Sequence, residues 1–152
     1  MAAERFPPTG RLAPQGIARF SGIAAEILAG GEDPPVTILD MRVEADHGAP
    51  LHASFDEDKL FLVLEGRFRF DLGEAGGGEV TAVAGARIAV RRGDAHGFRA
   101  EGGPARMLLV STPGRHDRFF TALAALPVPH DPAAVEAVCR RFNQRIIGPL
   151  MG

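Results

Sequence analysis

From residue 17 to residue 112 the apolar positions come in short runs, each closed by Gly, Pro or Asp. In LFLVLEGRFRFDL the second half alternates: Phe68, Phe70 and Leu72 share one face, and Arg67, Arg69 and Asp71 the other. Successive side chains of an extended backbone point to opposite sides, so this pattern is a strand with one buried face. VTILDMRVEA reads as a long strand rich in β-branched residues, and IAAEIL as a shorter one ending at the turn AGGEDPP. EVTAVA, ARIAVRR, AHGFRA and ARMLLVST follow, split by Gly85, by Gly93-Asp94 and by EGGP, and GEAGGGE reads as a hairpin loop. So many short strands in succession predict an all-β fold, a small antiparallel sandwich or barrel.

The period changes after Pro113. RHDRFFTALAAL places Phe119, Phe120, Leu123 and Ala124 on one side of a helix. DPAAVEAVCRRFNQ predicts a second helix, with Asp131 as N-cap and Pro132 at its first position. Its apolar residues Val135, Val138, Cys139 and Phe142 recur at helical spacing. Both helices are expected to pack outside the sheet, with the pair Phe119-Phe120 in that contact. Residues 1–16, rich in Pro, Gly and Ala, read as an arm. The chain is thus one domain: arm 1–16, β-barrel 17–112 and helical C-terminal extension 113–152.

Composition narrows the class. The 152 residues are 45% hydrophobic and 24% charged, with a formal net charge of −2, as in a soluble globular domain. No basic cluster is long enough to track nucleic acid, and no apolar run is long enough for a membrane helix. The start MAAERFPPTG lacks an apolar signal core, and the single cysteine, Cys139, forms no internal disulfide, so a cytoplasmic location is expected.

Candidate chemistry rests on histidine. Of five, His52 precedes a strand ending in LEG and His96 follows the tight turn RRGDA. Two histidines on adjacent antiparallel strands, both facing inward, would form a pair of ligands for Zn, Fe, Ni, Mn or Cu, although a divalent ion needs at least three. His47, His116 and His130 lie in loop or helix-start contexts and are expected at the surface.

The segments His52–Gly66 and Gly85–Ala100 resemble the two motifs of the cupin superfamily. The first is His-x-His, three or four residues, Glu, six residues, Gly; here it reads His52, Ala53, Ser54, four residues, Lys59, six residues, Gly66. The second is Gly, five residues, Pro, any residue, Gly, two residues, His, three residues, Asn; here it reads Gly85, five residues, Arg91, Arg92, Gly93, two residues, His96, three residues, Ala100. The tail TPGRHDRFF is similar to that of small quercetin-dioxygenase-like cupins. The resemblance implies a cupin-type jelly-roll β-barrel. It also implies a metal site of three histidines and one glutamate, of which His52 and His96 match while Ser54 and Lys59 depart.

Two registers stay open on the sequence. Aligned without a gap, Lys59, Phe61 and Val63 point inward. With a one-residue bulge before LFLVLEG, Asp58 takes the glutamate position. The first is favoured and gives a pocket of His52, Ser54, Lys59, Phe61, Val63, His96 and Phe98. That pocket suits a small organic acid or carbonyl compound, with no metal cofactor expected. A metal-dependent dioxygenase-type enzyme using His52, His96 and Asp58 or Glu57 is the alternative. A metal-free isomerase or lyase using Lys59 or a histidine is a third. For Lys59 the plainer reading is an ion pair with Glu57 or Asp58, or a side chain reaching the barrel mouth. Arg91-Arg92 reads as a solvated turn. A homodimer is expected, since such sheets commonly pair edges across subunits.

Overall fold

The computed structural model describes residues 6–31 and 35–152. Residues 1–5 of the expected arm and 32–34 of the turn AGGEDPP lie outside them. Eleven strands and two helices follow in order: β1 (Gly16–Phe20), β2 (Ile23–Ala29), β3 (Thr37–Val43), β4 (Gly48–Ser54), β5 (Asp58–Glu65), β6 (Arg67–Asp71), β7 (Glu79–Val83), β8 (Arg87–Val90), β9 (His96–Ala100), β10 (Ala105–Thr112), α1 (His116–Ala124), α2 (Pro132–Arg141) and β11 (Gln144–Ile146). One sheet runs β1-β2-β3-β10-β5-β8 and the other β11-β4-β9-β6-β7, all antiparallel. These two sheets form a jelly roll.

The alternation read from the sequence sets the core. Along β5, Lys59, Phe61 and Val63 are buried, while Leu60 between them is 45% exposed. Phe68 and Phe70 of β6 are fully buried. Phe61 crosses between the sheets to meet Phe70 at 5.2 Å and Phe98 at 6.0 Å. Each such ring removes enough apolar surface from water to contribute roughly 1.5–3 kcal/mol. LFLVLEGRFRFDL, which reads as a single run, is two strands. Gly66, at φ 75°, turns the chain from one sheet to the other, and a Cβ there would come within 2.7 Å of the Pro104 carbonyl.

After the barrel, α1 packs on β1, and α2 packs on α1 and β11. Asp131 caps α2 by accepting from the Ala133 amide at 3.2 Å. The extension, expected from the sequence to be helical, is not wholly so. Gln144–Ile146 returns as a strand and pairs with β4, Gln144 opposite Ser54 and Ile146 opposite His52. No helix among the described residues is long and apolar enough to cross a membrane.

Candidate functional site

The site begins with a register shift in β4. Ala49 faces Phe98 across the β4–β9 ladder, yet His52 faces His96, so β4 accommodates one extra residue around Pro50. Proline, lacking an amide proton, is tolerated at such an irregularity. The shift sets the two imidazoles side by side, with ring centroids 4.2 Å apart. His52 Nδ1 lies 2.7 Å from the Pro50 carbonyl and His96 Nδ1 3.0 Å from the Asp94 carbonyl. A carbonyl only accepts, so each Nδ1 carries the proton and each Nε2 presents a lone pair.

Both lone pairs meet Lys59. Its Nζ lies 3.0 Å from His96 Nε2 and 3.4 Å from His52 Nε2. No register shift occurs in β5 at this point: Lys59 pairs with Ser111 on one side and Val90 on the other. The in-register, inward lysine is therefore the observed one. Asp58 faces out and receives Arg92 at 2.9 Å, which holds its carboxyl down at about 2. Arg92, read from the sequence as part of a solvated turn, is thus engaged. Lys59 meets histidines in place of the expected contact with Glu57 or Asp58.

Glu57 belongs to a second buried chain of contacts. It accepts from Gln144 Nε2 at 2.6 Å, and Ser54 Oγ in turn donates to Gln144 Oε1. His116 Nδ1 stands 2.9 Å from Glu57 Oε1, although the geometry falls short of a well-aligned hydrogen bond. His116, expected at the surface, is 2% exposed, because α1 starts by turning inward over the barrel and carries it under Phe119 and Phe120. His130 is half-buried and reaches the cavity described next; His47 stays exposed, as expected.

Above these groups lies a cavity of about 180 Å³. Its apolar wall joins Phe20, Phe61, Phe98, Phe119 and Phe120 to aliphatic residues such as Ile23, Leu109, Leu123 and Val135. Its polar end holds His52, Lys59, His116 and Gln144. Ser54, Val63 and His96 are buried close by without lining it. His116 and Gln144 escape the sequence reading because nothing near either residue signals a site. The pair Phe119-Phe120, assigned there to packing, also forms cavity wall.

Burial dominates the electrostatics. It pulls the Lys59 amine from 10.5 to about 7, against the opposing charge of Glu57. It lowers His52 to about 3 and His116 to about 4, in each case helped by the Lys59 charge, and His96 is pushed down for the same two reasons. For Glu57 burial acts upward, but His116, Gln144 and Lys59 together hold its carboxyl below 4.5. At neutral pH the imidazoles are uncharged and Glu57 is ionised.

Between about pH 7 and 10.5 the unfolded chain keeps the Lys59 proton and the folded chain does not. Stability therefore rises with pH across this window, by up to about 1.4 kcal/mol per pH unit for one proton. His52 and His116 act with the same sign between 6.5 and their lowered values, so acid weakens the fold. Melting wild type and Lys59→Met side by side from about pH 7 to 9 checks this. The wild type should gain stability over the variant as pH rises, and parallel curves would refute a buried amine.

The metal site implied by the cupin resemblance does not fit these residues. Lys59 Nζ occupies the point where the two imidazole lone pairs converge, and below about pH 7 its charge repels a second cation there. Ser54 is turned to Gln144, Asp58 to Arg92, and Glu57 to His116 and Gln144. Among the described residues no three His, Cys, Asp or Glu side chains are grouped to hold a metal ion.

Comparison with known proteins agrees with the fold. Residues 39–111 match the family described as Cupin domain. No curated protein matches the sequence. Among solved structures, an RmlC-like cupin from Shewanella frigidimarina superposes with a TM-score of 0.60 at 17% identity, covering 76% of this chain and 96% of that one. KdgF from Halomonas sp. gives 0.56 at 20% identity, covering 64% and 85%. The polyketide cyclase RemF from Streptomyces resistomycificus gives 0.55 at 21% identity, covering 69% and 80%. At these identities the likeness is one of fold. Residues 39–111, with the two motifs on β4–β5 and β8–β9, are a cupin domain.

Proposed function

We propose that this cupin binds a small organic molecule with an apolar body and a carboxylate or carbonyl head, and that Lys59 receives the head. The observation that carries this reading is the position of Lys59 Nζ, held by two histidine nitrogens at the polar end of a mostly apolar cavity. Such a site, mostly apolar with a few convergent polar groups, suits a small molecule. A cavity of roughly 150 Å³ holds a benzene ring, so about 180 Å³ accepts a ring-sized body.

The metal-dependent dioxygenase reading lacks a third ligand, since Asp58 faces outward to Arg92. A metal-free reaction at Lys59 is developed below.

Benzoate is a suitable probe. By calorimetry it should bind the wild type and lose at least ~10-fold in affinity to Lys59→Met, the loss of a charge-assisted hydrogen bond. A carboxylate needs the ammonium form, so its affinity should fall as pH rises above about 7. Equal binding to wild type and variant at pH 6 would end this reading.

A further inference from the structure

Of the 17 lysine and arginine residues in this chain, Lys59 alone is lysine. Arginine makes the surface ion pairs, including Arg92–Asp58, Arg99–Asp46, Arg106–Asp40 and Arg140–Glu136. Where a positive charge and donors are all that is needed, this chain uses arginine. The two side chains differ in one chemical respect that matters inside a cavity. A guanidinium does not lose its proton in a protein, whereas a desolvated amine does, and the free amine is a nucleophile.

We propose that Lys59 is a covalent nucleophile: its amine condenses with the carbonyl carbon of an aldehyde or ketone seated in the cavity and forms an imine. This rests on the reading of the cavity as a carbonyl-binding site and adds a bond to it. The geometry is that of a held amine. Its two N–H groups have fixed acceptors, His96 Nε2 at 3.0 Å and His52 Nε2 at 3.4 Å, and each ring is anchored through Nδ1 to a backbone carbonyl. A tetrahedral nitrogen with its carbon and two N–H directions assigned has one direction left for its lone pair. Lys59 and His52 line the cavity and His96 does not, and the covalent reading has the remaining direction face the cavity.

The condensation balances without a further reagent. The nitrogen lone pair forms the C–N bond as the carbonyl π pair moves onto oxygen. One amine proton passes to that oxygen, relayed by the imidazole lone pair it already faces, giving a carbinolamine. The C–O bond then breaks and the C=N bond forms, and the second amine proton leaves with the hydroxyl as water. Nothing is oxidised or reduced. The phenylalanine wall limits access of bulk water to the imine, and His116, braced by Glu57, is on the same cavity surface to serve later proton transfers.

The test is reductive trapping with benzaldehyde, repeated with heptanal, and sodium cyanoborohydride, with a short lysine-containing peptide in the same tube. Intact mass should show one benzyl (or heptyl) group per wild-type chain, and peptide mapping should place it on Lys59. Trapping at Lys59 should outpace the peptide lysine by at least ~10-fold, because a bound carbonyl faces a positioned nucleophile. Lys59→Arg keeps the charge and the donors and should give no such adduct. Labelled peptide with unlabelled Lys59, for both aldehydes, overturns the proposal, and this result needs the wild type alone. If benzoate still binds in that case, the binding reading stands without the covalent step; if benzoate also fails to bind, both fall.

Discussion

The Ser54→His/Lys59→Glu double variant is expected to take up about one zinc or nickel ion per chain, whereas wild type treated identically keeps none above background. The two imidazole lone pairs already converge at one point, and the β4 irregularity that aligns them is independent of position 59. What opposes a divalent ion is the Lys59 amine that occupies that point, a cation below about pH 7. A unit-charge contact at about 4 Å contributes about 4 kcal/mol at the effective dielectric of a protein site. Removing one repulsion of that size corresponds to about 10³-fold in affinity, before the added carboxylate and imidazole act as ligands. Elemental analysis after dialysis and calorimetric titration of the metal-free variant measure this. A variant that keeps its strand signature by circular dichroism yet binds metal no better than wild type would show that Lys59 is not what excludes the ion.

Glu57→Ala is expected to destabilise the fold by about 3 kcal/mol, which for a chain of this length lowers the melting temperature by roughly 6–12 °C. Glu57 is 3% exposed and is the shared partner of Gln144 and His116, as well as the one negative charge that raises the Lys59 pKa. Its removal leaves an amide and an imidazole buried without their carboxylate, and such orphaned groups keep the full cost of their lost hydration. Gln144 then loses its anchor, and with it the short β11 loosens from β4. Glu57→Gln fills the same volume with a neutral group and should cost less. Chemical denaturation of the three proteins checks the order. A Glu57→Ala protein as stable as wild type would mean that the buried chain of contacts contributes nothing to folding.

Much of the barrel is legible in the chain because strand alternation is a local property. Phe68 and Phe70 against Arg67 and Arg69 need no partner strand to be read. The same period-two rule, applied to KLFLVLEG without a gap, places Lys59 on the face of Phe61 and Val63, where it lies. The capped start of α2 is local too, since Asp131 bonds an amide two residues on. The unequal use of lysine and arginine is also present in the sequence, but it acquires chemical meaning only when the one lysine is seen inside a cavity.

The candidate site is less legible, for a topological reason. Glu57 and Gln144 are separated by 87 residues, and Ser54 and Gln144 by 90. Nothing in RFNQRI says that Gln144 will lie on β4, since a three-residue strand has no pattern of its own. His116 reads as a polar helix start, and only the packing of α1 over β1 turns it toward Glu57. The slip at Pro50 that sets His52 against His96 depends on pairing between β4 and β9, which neither strand specifies alone.

By itself, then, the sequence determined the alternating antiparallel strands and, through its resemblance to the cupin motifs, implied the jelly roll and a lysine where a related barrel places a carboxylate; it favoured Lys59 inward on β5 and left the Asp58 register open. These follow from side-chain period and motif spacing, which are written within a few residues. Only the tertiary structure decided what that lysine meets: two proton-poor imidazole nitrogens, a phenylalanine-lined cavity, and a carboxylate held by His116 and Gln144. Those contacts join elements remote in the chain, and burial, which sets the charge of every group among them, exists only once the sheets and helices have closed around the site.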